Sequence, residues 1–139
     1  MSESQWISFE VATERYLHPV SSIKEILPFE LPTPVPGALD ITLGIQNIRG
    51  SIVSINSCRR LLHVDTRNEG SEGRIILIEN GDDLVGVAVD SVGEIISAEQ
   101  EEVDYESNEI RSEFIKGTLN KDGELYIVSD FSKLVFAAE

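Results

Sequence analysis

Cysteine, methionine and tryptophan each occur once in this chain of 139 residues, and aromatic residues make up only 6% of it. The single cysteine, Cys58, excludes a disulfide within the chain, which suits a reducing compartment. Long apolar runs are missing too: none approaches the ~20 residues that a membrane-spanning helix needs. Basic side chains are scarce, 11 against 25 acidic ones, for a net charge of −14. Such a field repels phosphate backbones and anionic lipid, which disfavours nucleic-acid binding and membrane-surface roles. Met1-Ser2-Glu3-Ser4-Gln5 has neither the basic nor the apolar stretch of a secretory signal. The expectation is one soluble, cytoplasmic domain, long enough to bury a core.

Catalytic and metal-binding patterns are absent as well. No His-x-x-x-His, Cys-x-x-Cys, Gly-x-Ser-x-Gly, Walker or dinucleotide glycine pattern occurs. His18 and His63 stand far apart, His18 beside Pro19 in a strand and His63 at a helix end where a cation suits the dipole. Cys58 reads as a small buried hydrophobe rather than a nucleophile. The acidic residues gather: Glu94, Glu99, Glu101, Glu102, Asp104, Glu106, Glu109 and Glu113 face one base, Arg111. They read as a solvated face, or else as a docking surface for a basic partner. No enzyme, metal or cofactor is expected.

What is present is a sequence written twice. Gln5–Leu27 lies over Arg74–Ile96 without gaps, so that Ile7 meets Ile76, Phe9 meets Ile78, Val20 meets Val89 and Glu25-Ile26-Leu27 meets Glu94-Ile95-Ile96. A second block follows in the same order with four extra residues in the later copy. There Gly44 meets Gly117, Asn47 meets Asn120, Gly50 meets Gly123 and Arg60 meets Lys133. Such duplication implies a two-lobed domain over residues 5–136, with approximate repeats 5–63 and 74–136 and strands open to exchange between the lobes. Asn68–Gly73 marks the boundary.

Period-two alternation and turn signals predict strands at Trp6–Val11, Tyr16–Val20, Ile23–Leu27, Leu43–Asn47, Ser51–Ile55, Arg74–Glu79, Leu84–Val89, Phe114–Leu119 and Glu124–Val128. Four prolines make residues 28–37 an extended loop. Short helices are expected at Cys58–His63, capped by Ser57, and at Phe131–Val135, capped by Ser129 or Asp130. Short strands with regular turns point to an all-β barrel or sandwich pair.

The copies differ most at one turn. The later copy reads Asn120-Lys121-Asp122-Gly123, an ordinary polar connection; the earlier reads Asn47-Ile48-Arg49-Gly50. Asn and Gly serve the backbone in both, whereas the turn requires neither Ile48 nor Arg49. Either these two form a contact patch for a protein partner, or Ile48 plugs the loop from below and Arg49 pairs with a local acid. Glu25 faces solvent, or faces a partner beside Ile23 and Ile26. Arg49, Arg59 and Arg60 make the middle of the chain its most basic part.

Several landmarks together resemble the CheW-like domain family. They are Ile23-Lys24-Glu25-Ile26, the loop ending Val35-Pro36-Gly37, Gly44-Ile45-Gln46-Asn47-Ile48-Arg49-Gly50, Val87-Ala88-Val89-Asp90-Ser91-Val92 and Phe114-Ile115-Lys116-Gly117, in family order. The resemblance implies two packed five-stranded, SH3-like β-barrels with two short helices. It implies a non-catalytic adaptor that binds a chemoreceptor signalling tip and the regulatory domain of a CheA-type histidine kinase, recruited to membrane-bound receptor arrays. By position, Arg49 and Glu25 fall at partner-binding surfaces, with Ile23, Gly44 and Asn47 supporting them and Ile48 beside them. Ser54-Ile55-Asn56-Ser57-Cys58-Arg59 departs from the family's Pro-Val-x-Asp-Leu-Arg, which hints at a divergent member, for instance of a pilus-motility pathway. A homodimerising β-barrel module is the rival reading, since edge strands can pair with another chain.

Overall fold

Ten strands carry the fold, and alternation along them decides which side chains meet. The computed structural model describes residues 3–64, 71–105 and 113–134. Strands β1 (Glu3–Val11), β2 (Glu14–Pro19), β3 (Ile23–Pro28), β4 (Thr42–Ile48) and β5 (Ser51–Ser57) precede a short α-helix, α1 (Cys58–Leu61). Then come β6 (Arg74–Asn80), β7 (Asp83–Val89), β8 (Ser91–Glu99), β9 (Ile115–Lys121) and β10 (Glu124–Ser129). They form two five-stranded sheets, ordered β8-β1-β2-β10-β9 and β3-β6-β7-β5-β4. Adding five to the early strands, and subtracting it from the late ones, turns one order into the other. Each sheet takes a hairpin from one half of the chain and three strands from the other.

Each sheet curls until the segment that follows one end strand meets the other end strand. Beyond β3, Thr33 exchanges backbone hydrogen bonds with Ile45 of β4 at 2.9 and 2.8 Å; beyond β8, Asp104 does so with Thr118 of β9 at 2.8 and 2.9 Å. Both seams need a glycine. A Cβ on Gly44 would stand 2.3 Å from the Thr33 carbonyl oxygen, and one on Gly117 would stand 2.2 Å from that of Asp104.

Three apolar clusters follow from the alternation. Trp6, Leu17, Ala98, Leu119 and Val128 fill the curve of the first sheet. Ile48, Val53, Ile55, Ile75 and Leu77 fill that of the second. Between the sheets lie Phe9, Val11, Tyr16, Ile76, Ile78, Val85, Val87 and Phe131. Strand β6 is apolar on successive residues because Ile75 and Leu77 face one core while Ile76 and Ile78 face another. A half-buried ion pair also ties the sheets: Arg59 Nη2 donates to both Asp90 carboxylate oxygens at 2.6 and 2.7 Å, and Asp90 Oδ2 accepts the Ala12 amide at 2.9 Å. Arg59, one of the three arginines that make the middle of the chain basic, is therefore itself buried, its guanidinium spent on the partly exposed Asp90.

Two further expectations need correction. Strand β8 is absent from the sequence-based strand set because its residues around Gly93-Glu94-Ile95 show little alternation; pairing with β1 makes it a strand. Of the two expected helices, only the first forms among the described residues, shortened to Cys58–Leu61 with the Ser57 hydroxyl accepting the Arg60 amide at 3.3 Å. Phe131–Leu134 makes a single turn, with the Leu134 amide donating to the Phe131 carbonyl at 2.9 Å and Asp130 Oδ1 accepting the Ser132 amide at 2.8 Å. Val135 lies outside the described residues, as do residues 68–70 of the expected boundary and Glu106, Glu109 and Arg111 of the acidic stretch.

Candidate functional site

The site grows from the hairpin β4–β5. Ile48 pairs with Ser51, leaving Arg49 and Gly50 as a two-residue loop whose φ angles, 52° and 88°, are both left-handed. This is the pattern of a type I′ turn, whose twist suits the flanking strands. Glycine adopts it freely; arginine does so poorly, since its Cβ crowds the backbone. Asn47 contributes through its side chain rather than its backbone angle: Oδ1 accepts the Gly50 amide at 2.9 Å and closes the turn.

Ile48 is not at the surface. Its 9% exposure places it with Val53, Ile55 and Leu77 inside the second sheet. Contrary to the contact-patch expectation, Ile48 plugs the loop from below and offers a partner almost no surface. The reason is pairing: once Arg49-Gly50 is the loop, Ile48 is a strand residue on the inner face. The outward apolar residue beside the turn is instead Ile52, 62% exposed and cross-strand from Asn47. Counting by twos from the buried Val53 and Ile55 would have found it.

Arg49 keeps a side chain 69% exposed, yet it is engaged by its own chain. Nη1 donates to Glu25 Oε1, and Nη2 donates to Glu25 Oε2 at 2.6 Å. Glu25 stands on β3 and Arg49 at the end of β4, the two end strands of the second sheet, so this bidentate pair lies across the seam. The hydrogen bond from Arg49 holds the Glu25 carboxyl below the usual carboxylate range against a smaller opposing effect of burial, and raises the arginine in turn. Planar fork-to-fork pairing of this kind fixes both side chains in one orientation. Arg60 reaches the Asp40 carbonyl nearby.

Structure thus brings together Glu25, Asn47, Arg49 and the newly found Ile52. Ile23 does not join them: it pairs with Ile78, a bulge separates it from Glu25, and it packs against the inter-sheet core. Gly44 serves the seam rather than a surface, because the Thr33 carbonyl passes where its side chain would be.

The first sheet presents a different surface. Glu94 and Glu99 stand on β8, and Glu101, Glu102 and Asp104 follow it; the Glu102 carboxyl is lowered chiefly by its hydrogen bond from the Glu99 amide at 2.7 Å, then by Lys121. A cleft of about 770 Å³ beside them is lined by Trp6, Pro19, Val20, Tyr105, Lys116 and Asp130 among others. Among the described residues, no group of three or more His, Cys, Asp or Glu side chains is arranged to hold a metal ion, and no helix is long and apolar enough to cross a membrane.

The chain as a whole is similar to known proteins. The family described as CheW-like domain matches residues 5–139. A chemotaxis protein CheW of Treponema pallidum is 27% identical over 97% of this chain and 84% of its own length. One of Bacillus subtilis is 31% identical over 70% of this chain and 63% of its own length. Among solved structures, the scaffolding protein TtCheW of Thermoanaerobacter tengcongensis superposes with a TM-score of 0.82 at 21% identity, covering 95% of this chain and 88% of that one.

Proposed function

The chain belongs to the CheW-like domain family, and from that premise we propose that it is a non-catalytic chemotaxis adaptor coupling chemoreceptors to a CheA-type histidine kinase. Its mechanism is bridging. One surface holds the receptor signalling tip and another holds the kinase regulatory domain, so receptor state reaches the kinase through geometry. The protein works in the cytoplasm, at membrane-bound receptor arrays.

One observation carries the reading: an exposed arginine held on a turn whose backbone arginine disfavours, locked by Glu25 and flanked by exposed Ile52. The matching place in β9–β10 holds Asp122, so the turn itself does not require arginine, and the exposed part of Arg49 left over from its pair with Glu25 supports a contact made outside the fold. A planar cation beside an aliphatic side chain is a common anchor at protein interfaces. Ser54 and Ser57, in place of the family's Pro and Asp, leave the pilus-motility pathway as the alternative setting for the same adaptor role.

The test is a pull-down with a receptor signalling tip and a CheA regulatory domain. Wild type is expected to capture both, and Arg49→Glu to lose the receptor tip at least tenfold while circular dichroism stays unchanged. The double exchange Glu25→Arg with Arg49→Glu restores the seam pair with reversed polarity. It should stay defective if Arg49 touches the receptor; full recovery would reduce Arg49 to a seam pin. Capture of neither partner by wild type would favour a self-associating β-barrel module.

A further inference from the structure

His18 is fully buried, yet both ring nitrogens are engaged. Nε2 lies 2.9 Å from the Phe131 amide, which can only donate, so Nε2 carries a lone pair. Nδ1 lies 3.0 Å from the Pro19 carbonyl, which can only accept, so the single proton sits on Nδ1. The ring stacks on that of Phe131 with centroids 5.6 Å apart, and Phe131 tilts against Phe114 at 5.4 Å. Phe131 and Leu134 sit in the inter-sheet core with Phe9, Tyr16 and Cys58. One neutral imidazole thereby fastens the turn at 131–134 to the junction of the two sheets.

We propose that His18 is a pH-sensitive latch, closed when neutral and opened by protonation, which frees the 131–134 turn from the inter-sheet core. A cationic ring has a hydrogen on both nitrogens, so the Phe131 N–H would face another N–H, with no lone pair left to accept it. Burial lowers the His18 pKa, opposed by the Pro19 carbonyl and by Asp130. Asp130 is the charged group facing the ring: its Oδ1 lies 3.9 Å from Nε2, too far to replace the lost acceptor, and it is already bonded to the Ser132 amide. From β1 the residue opposite is Ile7, flanked by Trp6 and Ser8, and from β10 come Val128 and Ser129; none of these ionises. Lys133 points outward from the turn.

The fold itself does not ask for this histidine. In the aligned halves Val87 stands where His18 does and Cys58 where Phe131 does, so the second sheet has a valine and a thiol there, and burial pushes that thiol up, away from the acidic range. Pro19, Ser129 and Asp130, which hold or adjoin the latch, also line the 770 Å³ cleft. Opening the latch therefore alters one wall of that cleft.

The experiment is nuclear magnetic resonance on the full chain between pH 7.5 and 5. At pH 7.5 the His18 ring should show the neutral tautomer protonated on Nδ1. On acidification, the amides of Phe131 and Leu134 should lose at least tenfold in protection, corrected for intrinsic exchange, while Ile76 and Val87 keep theirs. His18→Gln retains an acceptor without titrating, so its profile should be flat. A ring protonated on Nε2 at pH 7.5 would overturn the latch, as would wild-type protection that tracks His18→Gln. Loss of protection at all four amides in one step would overturn it as well.

Discussion

Hairpins β4–β5 and β9–β10 occupy matching places in the two sheets, and their backbones barely differ. Arg49 and Gly50 have φ of 52° and 88°; Asp122 and Gly123 have 53° and 84°. Gly44 and Gly117 sit under equivalent seams, and Ile52 and Leu125 are exposed to 62% and 60% at equivalent positions. The chemistry, however, is opposite. Asp122 is at home in a left-handed turn and makes the tip negative, whereas Arg49 sits there poorly and makes it positive. Lys121 reaches out to Glu102 at 3.5 Å, while Ile48, at the same place, turns into the core and leaves the first-half seam to Glu25 and Arg49. The two frames thus agree in backbone and disagree in charge, and in the first-half frame the arginine is spent in part on its own seam, through Glu25.

The comparison can be broken most forcefully at its shared part. Gly44→Ala and Gly117→Ala each drive a Cβ to within 2.3 Å of a carbonyl oxygen, and each is expected to destabilise by about 3 kcal/mol in urea unfolding. Unequal losses would mean that the seams are not equivalent. A milder probe is the exposed apolar pair. Ile52→Ser and Leu125→Ser should both leave stability within about 0.5 kcal/mol of wild type. If the Arg49 hairpin is the receptor surface, only Ile52→Ser should weaken capture of the receptor tip, by about tenfold; equal effects would dissolve the functional asymmetry. The smallest effect concerns acid. Because Arg49 depresses the Glu25 pKa in the folded protein, the pair's contribution is present above the ordinary glutamate range and fades as pH falls below about 4.3. Between pH 4.5 and 3, Glu25→Gln should lose less stability than wild type; parallel losses would show that the seam pair adds nothing.

Much of this architecture is legible by reading alone, for physical reasons. Strand alternation has a period of two, so Ile7, Phe9 and Val11 announce a strand with a buried face before any pairing is known. Glycines aligned at 44 and 117, and at 50 and 123, mark backbone demands that other residues meet badly. Ser57 was readable as a cap because its hydroxyl suits the orphan amides of a first turn. Other features resist reading because they depend on distant partners. Ile48 looks like a turn residue until pairing with Ser51 makes the loop one residue shorter on that side. Arg59 looks basic and exposed until Asp90, 31 residues later, is brought beneath it. Strand β8 earns its conformation from β1, across most of the chain's length.

By itself, the order of residues settled the all-β character, most of the strands and the place where the halves diverge, since these rest on local conformation and on spacing. Only tertiary structure decided which strands share a sheet, that Ile48 is core and Ile52 surface, and that Glu25 meets Arg49. Those outcomes depend on how a sheet curls and closes, and curling brings together residues that no local pattern connects.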